Sequence, residues 1–290
     1  MNMSSPIVVL TDFGTEDPFV GIMKGVIAGI NPTAPVIDLT HEIPPGDIQL
    51  CAFTLWQSLQ YFPSNTVFLA VVDPGVGSQR RPIILKSKGS TFVGPDNGIF
   101  SYILSGDYRA WELKNPKLAL ANQSATFHGR DLFAPAAAYA GCGVPGGDFG
   151  PAVSEVNLIP YPKLSNPTRG IIEGEIIHID RFGNALTSIG VFLYSDQTTY
   201  EIRSWTRNND AKIKVGKRRF DPSKEIDLGR SKIKLSPDLE ISWYQTFGEI
   251  PDGEYGYIIG SSGLIEISAN LRNASKLLDL NPGDTVALEY

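Results

Sequence analysis

The sequence predicts an α/β N-terminal domain with a mostly parallel, Rossmann-like sheet, followed by a smaller all-β, barrel-like C-terminal domain. Three observations predict it. Strand and helix signals alternate from PIVVL (6–10) to DLFAPAAAYAGCG (131–143), which implies a parallel sheet covered on both faces. The stretch PYPKLSNPTRG (160–170), with three prolines and polar neighbours, then reads as a linker. Beyond it come short strand-like segments divided by turn residues, the pattern of a small sandwich or barrel. The expected domains are therefore 1–163 and 170–290, with no tandem repeat or low-complexity tract.

The elements follow in order. PIVVL is an apolar strand, and after it Asp17 is placed to cap a helix with Pro18 at its first position. Phe19, Met23, Val26, Ile27 and Ile30 recur at helical spacing until Asn31-Pro32 stops the run. PVIDLTH (35–41) is a strand, and IQLCAFTLWQSLQYF (48–62) is a helix closed by Pro63. TVFLAVVD (66–73) is the continuous apolar run of a strand buried on both faces. PIILK (82–86) and TFVG (91–94) are strands, GIFSYIL (98–104) is helix-like, and Asp131 is placed to cap the Ala-rich helix. In the second domain IIEGEIIHID, ALTSIGVF, TTYEIRSW, AKIKVG, KIKL, EYGYIIG, LIEIS and DTVALEY read as strands, and NASKLLDL (273–280) reads as a helix.

Composition excludes several function classes. With 42% apolar and 19% charged residues in 290, the chain is an ordinary globular protein rather than a disordered one. A formal charge of −6 argues against a nucleic-acid footprint and against an anionic membrane partner. The start, MNMSSPIVVL, lacks the basic and long apolar regions of a signal peptide, and no apolar stretch is long enough to span a membrane. Cys51 and Cys142 both sit in apolar, helix-like surroundings and are expected to be buried reduced thiols. There is no CxxC or HExxH, so no metal site is expected, and the cytoplasm is the expected location.

Ligands of parallel α/β sheets collect beyond the carboxyl ends of the strands, where Asp12 and Asp73 both fall. Four constellations could carry chemistry. TDFGTED (11–17) offers Asp12 either to vicinal ribose hydroxyls, as an acceptor-only carboxylate, or to the turn itself. VVDPGVGSQRR (71–81) lacks any phosphate-loop pattern; it is either a turn held by an Asp–Arg pair or one wall of a site. TFHGRD (126–131) carries His128, one of three histidines, ahead of a helix and beside a glycine. HIDRFGNALTS (178–188) sets Asp180 and Asn184 beside the flat face of Phe182, either as a pocket or as a hairpin turn.

Taken together and in this order, TDFGTEDPFVGIMKG, VVDPGVGSQRR, VGPDNGIF, TFHGRD and IDRFGNALTS resemble the S-adenosyl-L-methionine hydroxide adenosyltransferases, relatives of the fluorinase and chlorinase enzymes. The resemblance runs from Ile7 to SSGLIEISANLRNAS (261–275). It implies hydrolysis of S-adenosyl-L-methionine to adenosine and L-methionine by water or hydroxide attacking the ribose C5′, with no cofactor and no metal. The family's catalytic Asp-Arg-His set falls on Asp73, Arg80 and His128, leaving Arg81 a neighbour without an assigned role. The DPGVG and FHGRD segments keep the hydrolase version of the motifs, which favours water over halide.

The resemblance also implies substrate contacts. Asp12 would take the ribose hydroxyls; Asp180 and Asn184 the methionine amine and the adenine, with Phe182 packing on the ligand; Ser261 and Ser262 the methionine carboxylate. Fluorinase-like relatives carry an arginine where this chain has Ser262, so carboxylate recognition would rest on hydroxyl and backbone donors. Asp17 and Asn97 fall in motif segments without a fixed role. Family members are homotrimers with sites at subunit interfaces. Two alternatives remain at this level: a halogenase, and a non-catalytic adenosine or S-adenosyl-L-methionine binding protein.

Overall fold

A computed structural model describes residues 4–104, 107–194, 199–202, 214–215, 218–219, 225–236 and 239–290. The end of TTYEIRSW (203–205) and the outer residues of AKIKVG lie outside the described residues. The chain divides into two compact units, Met1–Pro160 and Tyr161–Tyr290.

In the first unit the order is β1 (Ile7–Thr11), α1 (Phe19–Ile30), β2 (Val36–Thr40), α2 (Ile48–Ser58), β3 (Val67–Val71), β4 (Pro82–Ser87), β5 (Ser90–Pro95), β6 (Arg109–Glu112), α3 (Ala134–Gly141) and β7 (Ala152–Val153). The strands form one sheet in the order β2-β1-β3-β5-β4-β6-β7. Its first four strands are parallel neighbours, and from β5 onward every pairing is antiparallel. The change has a local cause. Lys88 and Gly89, with φ of 51° and 79°, make a two-residue turn between the paired Ser87 and Ser90. Two left-handed residues in succession close a tight hairpin, so β4 and β5 must run in opposite directions.

Both faces of this sheet are covered, which is why its strands read as unbroken apolar runs. Ile7, Val9, Leu69, Val71 and Val93 pack with Met23 and Ile27 of α1 and with the alanines of α3. Val8, Leu10, Phe68, Ala70 and Phe92 face the other way, toward Cys51 and Leu55 of α2. Alternate residues of one strand thus enter different cores.

Several local expectations change. Pro18, not Asp17, occupies the cap of α1: its carbonyl accepts from Ile22 N at 2.9 Å, which leaves Asp17 outside the helix and exposed. The segment GIFSYIL is a run of turns rather than a helix. Ser101 N and Ser101 Oγ both bond to Gly98 O, so that carbonyl is taken before a helical bond can form. Cys51 is buried as expected, but Cys142 is exposed, because it lies at the end of α3 just past the packed face.

The second unit begins with β8 (Leu164–Ser165), inside the stretch read as a linker. It continues through β9 (Ile171–Ile179), β10 (Ala185–Gly190), β11 (Phe192–Tyr194), β12 (Thr199–Ile202), β13 (Lys214–Val215), β14 (Arg218–Arg219), β15 (Glu225–Asp227), β16 (Lys232–Ser236) and β17 (Leu239–Ser242). It ends with β18 (Tyr255–Ile259), β19 (Leu264–Ala269), α4 (Ala274–Leu278) and β20 (Thr285–Glu289). An antiparallel path runs β17-β16-β20-β9-β10-β19-β18, with β8 beside β9. A bridge from Trp243 to Tyr257, with Tyr244 N donating to Tyr257 O at 2.9 Å, links the two ends of that path into a nearly closed barrel. Ile172, Ile176, Ile233, Ile241, Tyr257, Ile267 and Val286 are buried within this unit.

Candidate active site

Adjacent parallel strands β1 and β3 end side by side, with Thr11 registered against Val71. Asp12 follows the first directly and Asp73 follows the second by two residues, so neighbouring strand ends deliver both carboxylates. Burial raises the Asp12 pKa; the Gly46 N–H, donating to Oδ2 at 2.9 Å, opposes the rise and the charge of Asp73 adds to it. The two carboxylates therefore feel one another.

After Asp73 the chain turns twice, with Val76 N donating to Asp73 O and Ser78 N to Gly75 O, and returns Arg80 to its starting point. Arg80 Nε donates to Asp73 Oδ1 at 2.9 Å and its Nη2 to Oδ2 at 2.5 Å. These side chains are only 9% and 6% exposed, so the pair is largely withdrawn from solvent screening. The same Nη2 lies 2.7 Å from His128 Nδ1, and the guanidinium sits 5.3 Å from the centre of the Phe133 ring.

His128 opens a π-helical turn, Gly129–Phe133, that runs into α3. Such turns depart from the regular helical bond pattern and occur often at functional sites. Asp131 does not cap the Ala-rich helix. It is buried inside the π turn, where it accepts from Ser124 N at 2.7 Å and from Arg130 Nε at 2.6 Å, fixing the loop before His128. Gly77, with φ of 78°, lets the DPGVG loop approach this segment: a Cβ there would stand 2.9 Å from Ala125 O.

The tautomer of His128 follows from its partner. A guanidinium has five N–H donors and no acceptor, so Nδ1 must be the acceptor and a neutral ring carries its proton on Nε2. Burial lowers the pKa of His128, and the charge of Arg80 lowers it further, against smaller opposing effects of Asp73 and Asp131. The arrangement is a buried carboxylate, a clamped guanidinium and a neutral imidazole with one N–H to offer.

Arg81 goes elsewhere. It bonds to the buried Asp96 at 2.9 and 2.5 Å and to Glu155 O at 2.8 Å, a structural pair at the end of β5. Asn97 supports the site from below, donating to Val72 O at 2.9 Å.

Two features escaped the sequence reading. His41 is buried and links Thr11 Oγ1 at 2.9 Å to Asp38 at 3.0 Å, while its carbonyl accepts from Gly14 N, so it pins the TDFG loop. Phe13, Phe19 and Phe127 form a mutual edge-to-face trio with centroids 5.3–6.1 Å apart. The available signal for the trio was a phenylalanine beside the candidate acid in TDFG and beside the candidate histidine in TFHG.

In the second unit Asp180, Phe182 and Asn184 share one tight turn. Asp180 Oδ1 accepts from the backbone N–H of Phe182 and Asn184 at 2.8 Å each, and Oδ2 accepts from Asn184 Nδ2 at 2.9 Å. The hairpin-turn reading of this segment holds, and the turn leaves Phe182 78% exposed. Ser261 is exposed and Ser262 buried in the turn between β18 and β19, and Ser262 Oγ has no hydrogen-bond partner among the described residues. Among the described residues, no three of His, Cys, Asp and Glu converge as a metal-ligand set.

Residues 7–150 match the SAM hydroxide adenosyltransferase N-terminal domain, and residues 174–287 match the corresponding C-terminal domain. A (R)-S-adenosyl-L-methionine hydrolase of Thermus thermophilus is 36% identical, over 98% of this chain and 99% of its own. One of Methanocaldococcus jannaschii is 32% identical, over 98% and 95%. A fluorinase of Actinoplanes is more distant, at 27% over 64% of this chain and 72% of its own. A crystal structure of a Thermotoga maritima protein superposes with a TM-score of 0.82 at 31% identity, covering 98% of this chain and all of the other.

Proposed function

The chain belongs to the S-adenosyl-L-methionine hydroxide adenosyltransferase family, and from that premise we infer that it hydrolyses S-adenosyl-L-methionine to adenosine and L-methionine. The observation that carries the reading is Arg80 reaching Asp73 and His128 with one guanidinium.

The chemistry needs little else. A C5′–O bond forms as the C5′–S bond breaks, and the electron pair goes to sulfur, which leaves as a neutral thioether. No general acid is required, and no cofactor enters the step. The protein's tasks are to hold an oxygen nucleophile opposite sulfur and to favour its ionised form. Alignment of that kind can contribute about 7–11 kcal/mol. The positive charge of Arg80 favours hydroxide over water, and the Nε2–H of His128 donates to that oxygen. In this tautomer His128 positions the nucleophile and does not take its proton, which passes to solvent as water ionises to the attacking hydroxide.

A pH dependence follows. Protonating Nδ1 would set a second cation against Arg80, so activity needs the neutral ring. Because the pKa of His128 is lowered, kcat at saturating substrate, which reports the substrate complex, should fall only as pH drops below about 6.5, the ordinary histidine value. A profile from pH 5 to 9 checks this; an acid limb centred above 6.5 would count against the assignment.

The remaining roles belong to the same proposal. Asp12 takes the ribose hydroxyls, Asp180, Asn184 and Phe182 the amine and adenine, and Ser261 and Ser262 the carboxylate. The partnerless Ser262 Oγ supports the last of these. We also propose a cytoplasmic homotrimer with substrate held at subunit interfaces. The free cysteines fit a reducing compartment, and exposed Phe19 and Ile22 on α1 offer apolar surface for assembly. No helix among the described residues is long and apolar enough to cross a membrane. Product analysis tests the function: purified protein should release adenosine and methionine from S-adenosyl-L-methionine. Unreacted substrate, or 5′-halogenated adenosine formed with added chloride or fluoride, would overturn it.

A further inference from the structure

Glu266 sits in the middle of β19, a position the strand pattern LIEIS gives no reason to single out. Its direct cross-strand neighbours are Ile258 on β18 and Leu186 on β10, so it lies among buried apolar residues. It is only 8% exposed and makes no hydrogen bond or ion pair with any described residue. Its carboxyl lies over the α-carbon of Gly260: a Cβ there would be 1.7 Å from Glu266 Oε1, so glycine is what makes room for it. The nearby charge is Asp180, of the same sign. Two residues along the same face of β19, Ser268 Oγ is fully buried and has no partner among the described residues.

A largely buried carboxyl with no donor among the described residues, and under the repulsive charge of a second carboxylate, is costly unless something supplies N–H groups and positive charge. We propose that Glu266 is a specificity-determining residue that, with Asp180, holds the α-ammonium group of the substrate. The inference rests on the hydrolase reading. Of the parts of that substrate, the sulfonium offers no N–H and the adenine is neutral. The ammonium alone combines a full charge with three donors, which matches acceptor-only carboxylates. Burial, with Asp180 adding, raises the Glu266 pKa to about 7, so its ionised form is disfavoured relative to an ordinary carboxylate and a cation beside it would favour that form.

The test compares S-adenosyl-L-methionine with its des-amino analogue, in which hydrogen replaces the α-ammonium. The wild-type chain should show a KM at least about 10-fold higher for the analogue, the order expected for one charged contact. In Glu266→Gln and in Glu266→Met the two KM values should converge, with kcat for S-adenosyl-L-methionine within about threefold of wild type. Thermal unfolding of both variants at pH 8 should not fall below wild type, since each removes an uncompensated buried carboxyl. A structural glutamate would instead lower the midpoint. Retained wild-type discrimination in either variant, or a lowered midpoint with discrimination intact, overturns the proposal. The hydrolase reading fails separately, by absence of turnover in the wild-type chain.

Discussion

Arg80→Lys lowers kcat by about 10²–10³-fold while KM stays within about threefold, the size expected when one preorganised charge contact to the reacting atoms is lost. Lysine is the informative substitution because it keeps the positive charge. An ammonium is a single point of charge on a flexible stem, whereas the guanidinium is a rigid fork. Here the fork makes three contacts with Asp73 and a fourth with His128 Nδ1. A lysine meeting Asp73 leaves His128 without its donor. The ring then loses the bond that sets its tautomer, and its N–H no longer points at one place. Arg80→Ala would mix this with a folding defect, since breaking a buried pair costs about 3–5 kcal/mol. Steady-state kinetics on the Lys variant, with circular dichroism to confirm the fold, decides the matter. A kcat within threefold of wild type would remove Arg80 from the catalytic step.

Asp96→Ala should lower the free energy of unfolding by about 1–3 kcal/mol, the loss expected when a buried acceptor is removed from a backbone N–H and a half-exposed arginine. That is a large part of the ~5–15 kcal/mol that holds a typical domain folded. The Asp96 side chain is 1% exposed, accepts from Arg81 at 2.9 and 2.5 Å, and accepts from Asn157 N at 2.7 Å. Its removal leaves the Asn157 backbone N–H without that acceptor and Arg81 with Glu155 O and solvent alone. The competing consideration is that Arg81 is 38% exposed, and exposed ion pairs contribute only about 0–1 kcal/mol. The backbone bond from Asn157, which loses its buried acceptor, decides in favour of the larger figure. Urea unfolding measures it, and a loss under about 1 kcal/mol would show that solvent screens the pair. Well below its midpoint, the variant should keep kcat within about threefold of wild type, because nothing from Asp96 reaches the reacting atoms. The adjacent arginines thus put the proposed catalytic pair and the structural pair to separate experiments.

The sequence showed a good deal of this site. Apolar runs broken by Asp12 and Asp73 marked strand ends, and the β1–β3 register brings those ends together. The glycines of DPGVG mark a close approach, and Gly77 makes one against Ala125. Local punctuation misled at Asp17 and Asp131, where a carboxylate just before or within a helical start was read as a cap. Each helix begins on its own carbonyl pattern, and Asp131 is engaged by a loop instead. GIFSYIL has helical spacing because its apolar residues are buried, yet a serine hydroxyl takes the carbonyl that a helix would need.

The sequence by itself determined the architecture and the identity of the groups at the strand ends. Both follow from local rules: side-chain periodicity, turn residues and the reach of a short loop. Only the tertiary structure decided which groups meet. Arg80 and Arg81 are neighbours in sequence, but successive side chains entering a strand point to opposite sides, so one returns to Asp73 and the other crosses to Asp96. The tautomer of His128 depends on an arginine 48 residues away. Glu266 looks like any residue of a half-buried strand until its carboxyl is found over Gly260 under the charge of Asp180. Burial and electrostatic partnership belong to what packs against a residue, and no local pattern encodes that.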